Sequence, residues 1–304
     1  MAIKRYLNDT NLIRLMQESG FLLKNIINSE GELILCLREN YFNIYYRGNS
    51  LAKVSFKSEN KYTVDIHSKF IPTELINDPD FSNKYKVLTI KGKETIYRFN
   101  IEQCELRKLL QKTYIASIKE KIIKVGYKEE LEFQHLIMSD NILNEKDCLI
   151  DIQITDKYAN GKRMDLMGLK QIDGNLYRMV IMEVKLGNNE ELKEKVYRQI
   201  KDYSDHVKKY FTCYKHTYEE QYRQLKQLGL LPSYKYETIV IDDEIEEMII
   251  VGRYLAKAQK QITELIINHP DIEDKIRLLA YIKAVDIDRK NMYADGFFTH
   301  PQVK

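Results

Sequence analysis

The middle of the chain has an order of strand, turn, strand and helix that constrains the fold more than any other feature. Apolar, strand-forming residues fill 163–169 and 176–186, and Asp173-Gly174-Asn175 between them has the composition of a turn. In the segment 189–210, apolar residues recur three or four positions apart, which is typical of an amphipathic helix. Two strands separated by so short a turn form a hairpin, so this order predicts a domain of helices packed on a mixed sheet.

The length of the chain predicts more than one domain. A single core rarely serves 304 residues, so we expect a main domain and a smaller one. After a short helical start, β-rich runs separated by turn residues predict an antiparallel meander at 32–38, 41–46, 51–56 and 62–66, with a strand pair near 87–99. We therefore assign a smaller β-rich N-terminal domain to 1–103, a basic connecting helix to 104–126 and a helix-and-sheet domain to 127–304.

The pattern in 127–304 favours the α/β class, as an α+β mixed sheet flanked by helices. Further strands are predicted at 149–154, 238–241 and 248–251. Further helices are predicted at 127–138, 218–228, 256–267 and 272–285, the last two closing the chain.

The net charge of +3 is too small for a polycation that binds any nucleic acid, so a contact with nucleic acid has to be local. The most basic stretch is 107–128, where lysines line the outer face of a predicted helix. This face is either a solvated lysine surface or a surface that follows phosphates. A cluster of tyrosines in the β-rich part either stacks on bases or packs in the ordinary way. Its members are Tyr41, Tyr45 and Tyr46, with Arg47 and Lys53 beside them.

Several classes of protein are disfavoured by what the sequence lacks. It has no apolar run of about 18 residues and no apolar segment near Met1, so we expect a cytoplasmic protein without a membrane span. Four cysteines without a CxxC pair argue against a zinc ribbon, and we expect buried, reduced thiols. The absence of a glycine-rich phosphate loop argues against an ATP-driven motor. His135 is either a packed residue or a proton shuttle.

Three charged residues are brought to one place by the predicted hairpin. Glu183 and Lys185 project from the same face of their strand, because alternate residues share a face. Asp165 lies on the neighbouring strand. Mg²⁺ prefers oxygen ligands and binds through one or two carboxylates, which Asp165 and Glu183 would supply, with the carbonyl of Val184 as a further ligand. Lys185 is suited to orient an attacking water or to stabilise charge on a phosphodiester.

These residues resemble the PD-(D/E)XK nuclease superfamily, in which an Asp precedes a Glu-x-Lys. Here the pattern is Asp165 followed by Glu183-Val184-Lys185, with Met164 where proline often stands. Gln199 and Tyr203 match the Gln-x-x-x-Tyr motif of the RecB-like branch and share a helix face. The superfamily commonly has a glutamate on its first core helix. Glu129, Glu130 and Glu132 are the candidates, and we favour Glu132.

The resemblance implies a restriction-endonuclease-like core of helix, antiparallel strands, helix and strand. It implies a Mg²⁺- or Mn²⁺-dependent nuclease that hydrolyses phosphodiester bonds, with DNA favoured over RNA, in restriction, repair or phage defence. No iron–sulfur cluster is expected, since the cysteine trio is missing. The N-terminal domain would select substrate, sense a signal or serve as a packing or homodimerisation module. The alternative is a non-catalytic nucleic-acid-binding or scaffold protein that retains the fold.

Overall fold

The computed structural model describes residues 3–90, 94–125, 129–142, 144–156, 163–252 and 256–279. The chain forms two compact units. We call residues 4–139 with 224–231 the N-terminal unit, and the remainder, including Asp140–Arg223, the C-terminal unit. Each unit contains one sheet, so the protein is a mixed α/β protein with two sheets, in agreement with the predicted class.

The described strands of the N-terminal unit form a six-stranded antiparallel sheet in the order β1-β2-β3-β4-β6-β5. The bounds are β1 Leu33–Arg38, β2 Tyr41–Tyr46, β3 Asn49–Phe56, β4 Lys61–His67, β5 Tyr85–Ile90 and β6 Glu94–Glu102. Neighbouring strands in sequence pair from β1 to β4, which confirms the predicted meander. The predicted strand pair near 87–99 is also confirmed.

Helices of the N-terminal unit bury apolar residues beside this sheet. Their bounds are α1 Asp9–Gln17, α2 Lys24–Ile27, α3 Thr73–Asn77, α4 Gln103–Leu109, α5 Lys112–Val125 and α6 Glu129–Asp140, with a π-helical segment at Ser19–Leu23 and a 3₁₀ turn at Ser68–Phe70. The predicted basic helix is in fact two helices, because α4 ends at Leu110, whose backbone angles of φ −92° and ψ 14° are not helical. Leu109 and Leu110 are buried, as is the apolar face of α5.

Several basic residues of α4 and α5 are engaged in ion pairs within the N-terminal unit. Arg107 pairs with Glu18, and Lys119 with Glu32. Lys108 lies 2.7 Å from carboxylate oxygens of both Asp78 and Asp80. These contacts account for part of the basic face without a phosphate. In the tyrosine cluster, Tyr45 and Tyr46 are buried, which favours ordinary packing for those two rings.

The described strands of the C-terminal unit form a mixed sheet in the order β11-β10-β9-β8-β7. The bounds are β7 Cys148–Thr155, β8 Arg163–Asp173, β9 Leu176–Leu186, β10 Val240–Gly252 and β11 Ile276–Leu279. The hairpin of β8 and β9 is antiparallel, as predicted, and Gly174 at its turn has a φ of 49°. β10 and β11 run parallel to β9 on its other side.

The described helices of the C-terminal unit are α7 Lys195–Lys209, α8 Phe211–Gln227 as far as Arg223, and α9 Ala256–Asn268, with 3₁₀ turns at Glu190–Lys193 and Pro270–Lys275. The apolar face predicted for α7 is confirmed, since Val196, Ile200 and Val207 are fully buried. The predicted helix start at 189 is wrong, because Glu194 has a φ of −153° and interrupts the helix. α8 begins well before the predicted residue 218, and its tyrosines at four-residue spacing carry the buried face.

Two predictions for the end of the sheet are wrong. The predicted strands 238–241 and 248–251 are one strand, β10, with an irregularity between Ile241 and Ile245. Its acidic residues stay in the strand because Arg178 of β9 pairs with Asp242, Glu244 and Glu246. The predicted helix 272–285 is a strand over Ile276–Leu279, and residues 280–285 lie outside the described residues. A short apolar run cannot be assigned to helix or strand by periodicity alone.

The remaining expectations concern boundaries and single residues. The predicted domain boundaries at residues 103 and 126 stay predictions. In the described ranges, no helix is both long and apolar enough to cross a membrane. The prediction of buried thiols is confirmed for Cys36 and Cys148, and burial raises the pKa of Cys148 to about 12. It is wrong for Cys104 and Cys213, which are exposed. His135 is a packed residue, with Nε2 3.1 Å from the Glu32 carbonyl and its pKa lowered by burial.

Candidate active site

The strands β8 and β9 part at the end of the sheet where the predicted site residues lie. Among the described residues, the ladder between these strands ends at Leu166↔Met182. Beyond this pair, β8 stays paired with β7 as far as Arg163, and β9 stays paired with β10 as far as Leu186. Backbone groups that leave a ladder need other partners when they are buried, so polar side chains are required here.

Asp165 supplies one such partner. It lies one residue beyond the last ladder pair, and its Oδ2 accepts a hydrogen bond from the backbone N–H of Val184 at 2.9 Å. The carboxylate thus replaces a backbone acceptor of the ladder, and the residue is only 5% exposed. This bond holds Asp165 against the segment that contains the other predicted residues.

Glu183 and Lys185 form a buried ion pair on β9. Lys185 Nζ lies 2.7 Å from Glu183 Oε1, and the two side chains are 4% and 2% exposed. The same Nζ lies 3.2 Å from an oxygen of Glu191, on the 3₁₀ turn after the strand. Buried charges are costly unless they are paired and hydrogen-bonded, so this pairing fixes the lysine in one position.

Glu191 remains an effective partner for Lys185. Burial raises the pKa of its carboxyl group, but the ammonium groups of Lys195 and Lys185 outweigh this effect and the pKa lies below its ordinary value. The turn that carries Glu191 begins at Asn189, whose side chain accepts a hydrogen bond from the Glu191 N–H at 3.0 Å. Asn189 therefore caps this 3₁₀ turn.

Tyr203 and Gln199 lie one turn apart on α7. The Tyr203 hydroxyl donates to the carbonyl of Arg163 at 2.6 Å, two residues before Asp165. Burial, followed by the negative charges of Glu183 and Asp165, raises the pKa of Tyr203 well above its ordinary value. The Gln199 side chain is half-buried, and its Oε1 has no hydrogen-bond partner within the described part of the chain.

Glu132 belongs to the N-terminal unit and makes its own ion pair there. Its Oε1 lies 3.3 Å from Nε of Arg47, which follows β2. The backbone of Leu131 packs closely on Gly48 in the same turn, where a β-carbon would lie 2.1 Å from the Leu131 carbonyl oxygen. Glu132 therefore has a structural partner. The choice among Glu129, Glu130 and Glu132 as the first-helix acid stays a prediction.

Gln153 is a candidate that the sequence reasoning missed. The pairs Ile152↔Leu166 and Ile154↔Met164 place it directly opposite Asp165 on β7. It has a φ of 52°, which residues other than glycine rarely adopt within a strand. Strained backbone of this kind is concentrated at functional sites. The polar residue between two isoleucines was the available signal in the sequence.

A second polar group was also missed. Asp156, at the end of β7, accepts hydrogen bonds from the Tyr214 hydroxyl at 2.9 Å and pairs with Nε2 of His206 at 2.8 Å. Asp156 and Tyr214 are buried. His206 is on α7, one turn after Tyr203, so two successive turns of this helix contact the ends of β7 and β8. These contacts fix α7 to the strand end that carries Asp165.

The donor atoms at this strand end fit a hard divalent cation. Asp165 and Glu183 offer carboxylate oxygens, and Val184, next to Glu183 on β9, donates its N–H to Asp165. Magnesium commonly uses one or two protein carboxylates and takes its other ligands from water and phosphate. Within the described ranges, no group of three or more His, Cys, Asp or Glu side chains is arranged to hold a metal. A site with two carboxylates does not require such a group.

The structure thus brings Asp165, Glu183, Lys185 and Tyr203 together in the C-terminal unit, with Val184 bonded to Asp165. No family model, curated protein or solved structure matches this chain.

Proposed function

We propose that this protein is a metal-dependent nuclease of the PD-(D/E)XK type with a restriction-endonuclease-like core. The observation that carries the proposal is the buried group of Asp165, Glu183 and Lys185 at the point where β8 and β9 part. The order β7, β8, β9, α7, α8, β10 agrees with the antiparallel strands, helix and strand of that core, with α8 as an additional helix before the last strand. The substrate is a phosphodiester of nucleic acid, with DNA favoured by the resemblance alone.

In this proposal Asp165, Glu183 and the Val184 carbonyl would hold Mg²⁺ or Mn²⁺. When bound, the ion would supply Lewis acidity and a water of lowered pKa. Lys185, held by Glu183 and Glu191, would orient the attacking water or stabilise negative charge on the phosphoryl oxygens. A fixed ammonium group needs no reorganisation as that charge develops, which is how preorganised sites lower barriers.

The residues of α7 would position this group. Tyr203 holds the backbone of Arg163 through its hydroxyl, and Lys201 pairs with the largely buried Glu247 of β10 at 3.0 Å. These bonds tie the helix to both sides of β9. Gln199 then presents an amide oxygen near this helix face that a substrate or an ordered water could satisfy.

The test is cleavage of plasmid DNA, single-stranded DNA and RNA in Mg²⁺, in Mn²⁺ and in EDTA. We expect cleavage of at least one substrate with metal and none in EDTA. Lys185→Ala should lower the rate by about 10²–10⁴-fold, the usual contribution of a positioned acid–base group. Lys193→Ala, on the exposed side of the turn after β9, is the matched control and should leave the rate unchanged.

A non-catalytic protein that retains the fold gives a different result. It would bind nucleic acid with no metal-dependent cleavage of any of the three substrates. Cleavage that persists in Lys185→Ala and in Asp165→Ala would remove this site from the proposal.

A further inference from the structure

The N-terminal unit contains a pocket of about 460 Å³ at one end of strands β4, β5 and β6. It lies among the turn from β3 to β4, the start of β5 and the end of β6. Basic and amide side chains dominate its lining: Lys57, Lys61, Lys84 and Lys86, with Asn83 and Asn100. Its volume falls within the range of about 300–1,000 Å³ that ligand pockets span.

The acidic residues in the lining are already committed to the fold. Glu105 pairs with Lys84, and its second oxygen accepts the Glu102 backbone N–H at 2.9 Å. The Glu102 side chain in turn caps the first turn of α4. The lining thus has four lysines and two carboxylates, one of which pairs with Lys84, and two positive charges remain in excess.

The other three lysines carry this excess. Lys57, Lys61 and Lys86 are exposed and make no ion pair with any described residue. Backbone bonds set the position of the first two, because Lys57 N–H donates to the Lys61 carbonyl at 3.0 Å and Arg14 donates to both of their carbonyls. The side-chain amides of Asn83 and Asn100 add uncharged donors at the same place. The backbone thus holds Lys57 and Lys61 close together, although no carboxylate among the described residues pairs with either ammonium group.

We propose that this pocket binds the phosphate groups of a nucleic-acid strand. The inference rests on the proposed function, for which it gives the N-terminal unit the role of holding substrate. Exposed lysines bind a polymer of phosphates by releasing its counterions, and such contacts carry affinity without sequence information. The three lysines are all exposed to water. A free nucleotide has only one or a few phosphates to bind them, whereas a nucleic-acid strand has a phosphate for each lysine. The chemistry therefore favours the strand.

The test is binding of a labelled single-stranded oligonucleotide to the full chain in EDTA, measured by fluorescence anisotropy at several salt concentrations. All proteins carry Asp165→Asn so that nothing is cut. The variant Lys57→Glu/Lys61→Glu/Lys86→Glu should bind at least about tenfold more weakly. Its dependence of log K on log salt should be shallower by about 2, from three contacts of about 0.7 each.

The matched control is Lys24→Glu/Lys69→Glu/Lys146→Glu, which changes charge equally at exposed lysines outside the pocket. It should retain most of the affinity. Equal loss in the two triple variants, or unchanged binding in the pocket variant, would overturn the proposal. A version with glutamine at the three pocket positions guards against misfolding and should show a smaller loss in the same direction.

Two further experiments are needed. The first distinguishes a nucleic-acid strand from small phosphates as the ligand, and the second distinguishes the pocket proposal from the nuclease proposal. Competition by a nucleoside monophosphate or inorganic phosphate should be weak at phosphate concentrations where unlabelled oligonucleotide competes fully. Equal competition would show a site for small phosphates and contradict the assignment. Cleavage by the unsubstituted protein is measured separately. Lysine-dependent binding without cleavage defeats only the nuclease, and cleavage without lysine-dependent binding defeats only the pocket.

Discussion

The two sheets of this protein place their charged residues in opposite ways. In the N-terminal sheet, Arg98 and Asp65 form a two-bond pair at 2.7 Å on neighbouring strands, with the arginine 40% exposed. In the C-terminal sheet, Glu183 and Lys185 are paired at 2.7 Å with almost no exposure. A surface pair costs little and contributes little, whereas a buried pair must overcome a large loss of hydration. The comparison indicates that stability alone does not explain the buried charges.

The regularity of the two sheets differs in the same sense. Among the described residues, the N-terminal ladders have one register shift, between Ile44 and Tyr45. In the C-terminal sheet, β7, β8 and β10 all carry irregularities, and Gln153 adds a strained φ opposite Asp165. Irregular strands redirect side chains and are frequent beside active sites. The shifts after Gln171 and after Ile241 lie towards the Gly174 end of the sheet, and the strained Gln153 is the irregularity that lies opposite Asp165.

The largest expected effect is on stability, and it compares loss of the buried ion pair of the C-terminal sheet with loss of the partly exposed pair of the N-terminal sheet. Lys185→Met removes the ammonium group that compensates buried Glu183, so the free energy of unfolding should fall by about 3–5 kcal/mol. Arg98→Met, the matched change in the N-terminal sheet, should cost about 0–1 kcal/mol because the pair is partly in water. Urea denaturation of both variants measures the difference. Equal losses would contradict the distinction between the two sheets.

Two hairpin glycines give the next effect. Gly48 and Gly174 both have positive φ, at 70° and 49°. A β-carbon at Gly48 would collide with the backbone of Leu131, whereas one at Gly174 meets nothing within 4 Å. Gly174→Ala should therefore cost only the conformational penalty of about 1–2 kcal/mol. Gly48→Ala adds overpacking of about 1–3 kcal/mol. Thermal melts compare the two variants, and a greater loss in Gly174→Ala would refute the close packing of α6 on this turn.

The smallest effect concerns acid stability in the N-terminal unit. Lys108 and then Tyr114 donate to Asp78 and lower the pKa of its carboxyl from 3.8 to about 2. A lowered carboxyl pKa adds stability above the unfolded value, and this is lost as the pH falls through the folded value. Asp78→Asn should thus be less stable than the parent protein above pH 4, with the gap closing towards pH 2. Urea denaturation midpoints of the two proteins, measured across this pH range, give the difference in stability. This difference should not persist at the lowest pH.

The sequence predicted those features that local pattern determines. The turn at Gly174, the apolar strands beside it and the buried face of α7 follow from residues close together in the chain. β10 did not, because its acidic residues form ion pairs with basic residues far away in sequence, among them Arg178, Lys170 and Lys201. The strand Ile276–Leu279 was missed because three apolar residues beside Arg277 have no decisive period.

The candidate site likewise has some features that local sequence pattern determines and others that it does not. The proximity of Asp165 to Glu183-Val184-Lys185 follows from a hairpin, so strand alternation was enough to infer it. The partner of Glu132 is Arg47, and no local pattern distinguishes a glutamate that forms such a pair from one that serves a site. The φ of Gln153 and the contacts of Asp156 with His206 and Tyr214 depend on tertiary packing. Sequence periodicity gives no information about this backbone angle or about these contacts.

The central claim is that the buried carboxylates serve chemistry, and Asp165→Asn tests it most directly. The amide has the same shape and retains an oxygen that can accept the Val184 N–H, so the variant should remain folded. Its rate of metal-dependent DNA cleavage is compared with that of the parent protein and of Asp173→Asn, an exposed residue at the far end of the same strand. We predict cleavage at the EDTA background for Asp165→Asn and an unchanged rate for Asp173→Asn. Full cleavage by a folded Asp165→Asn protein would contradict the claim.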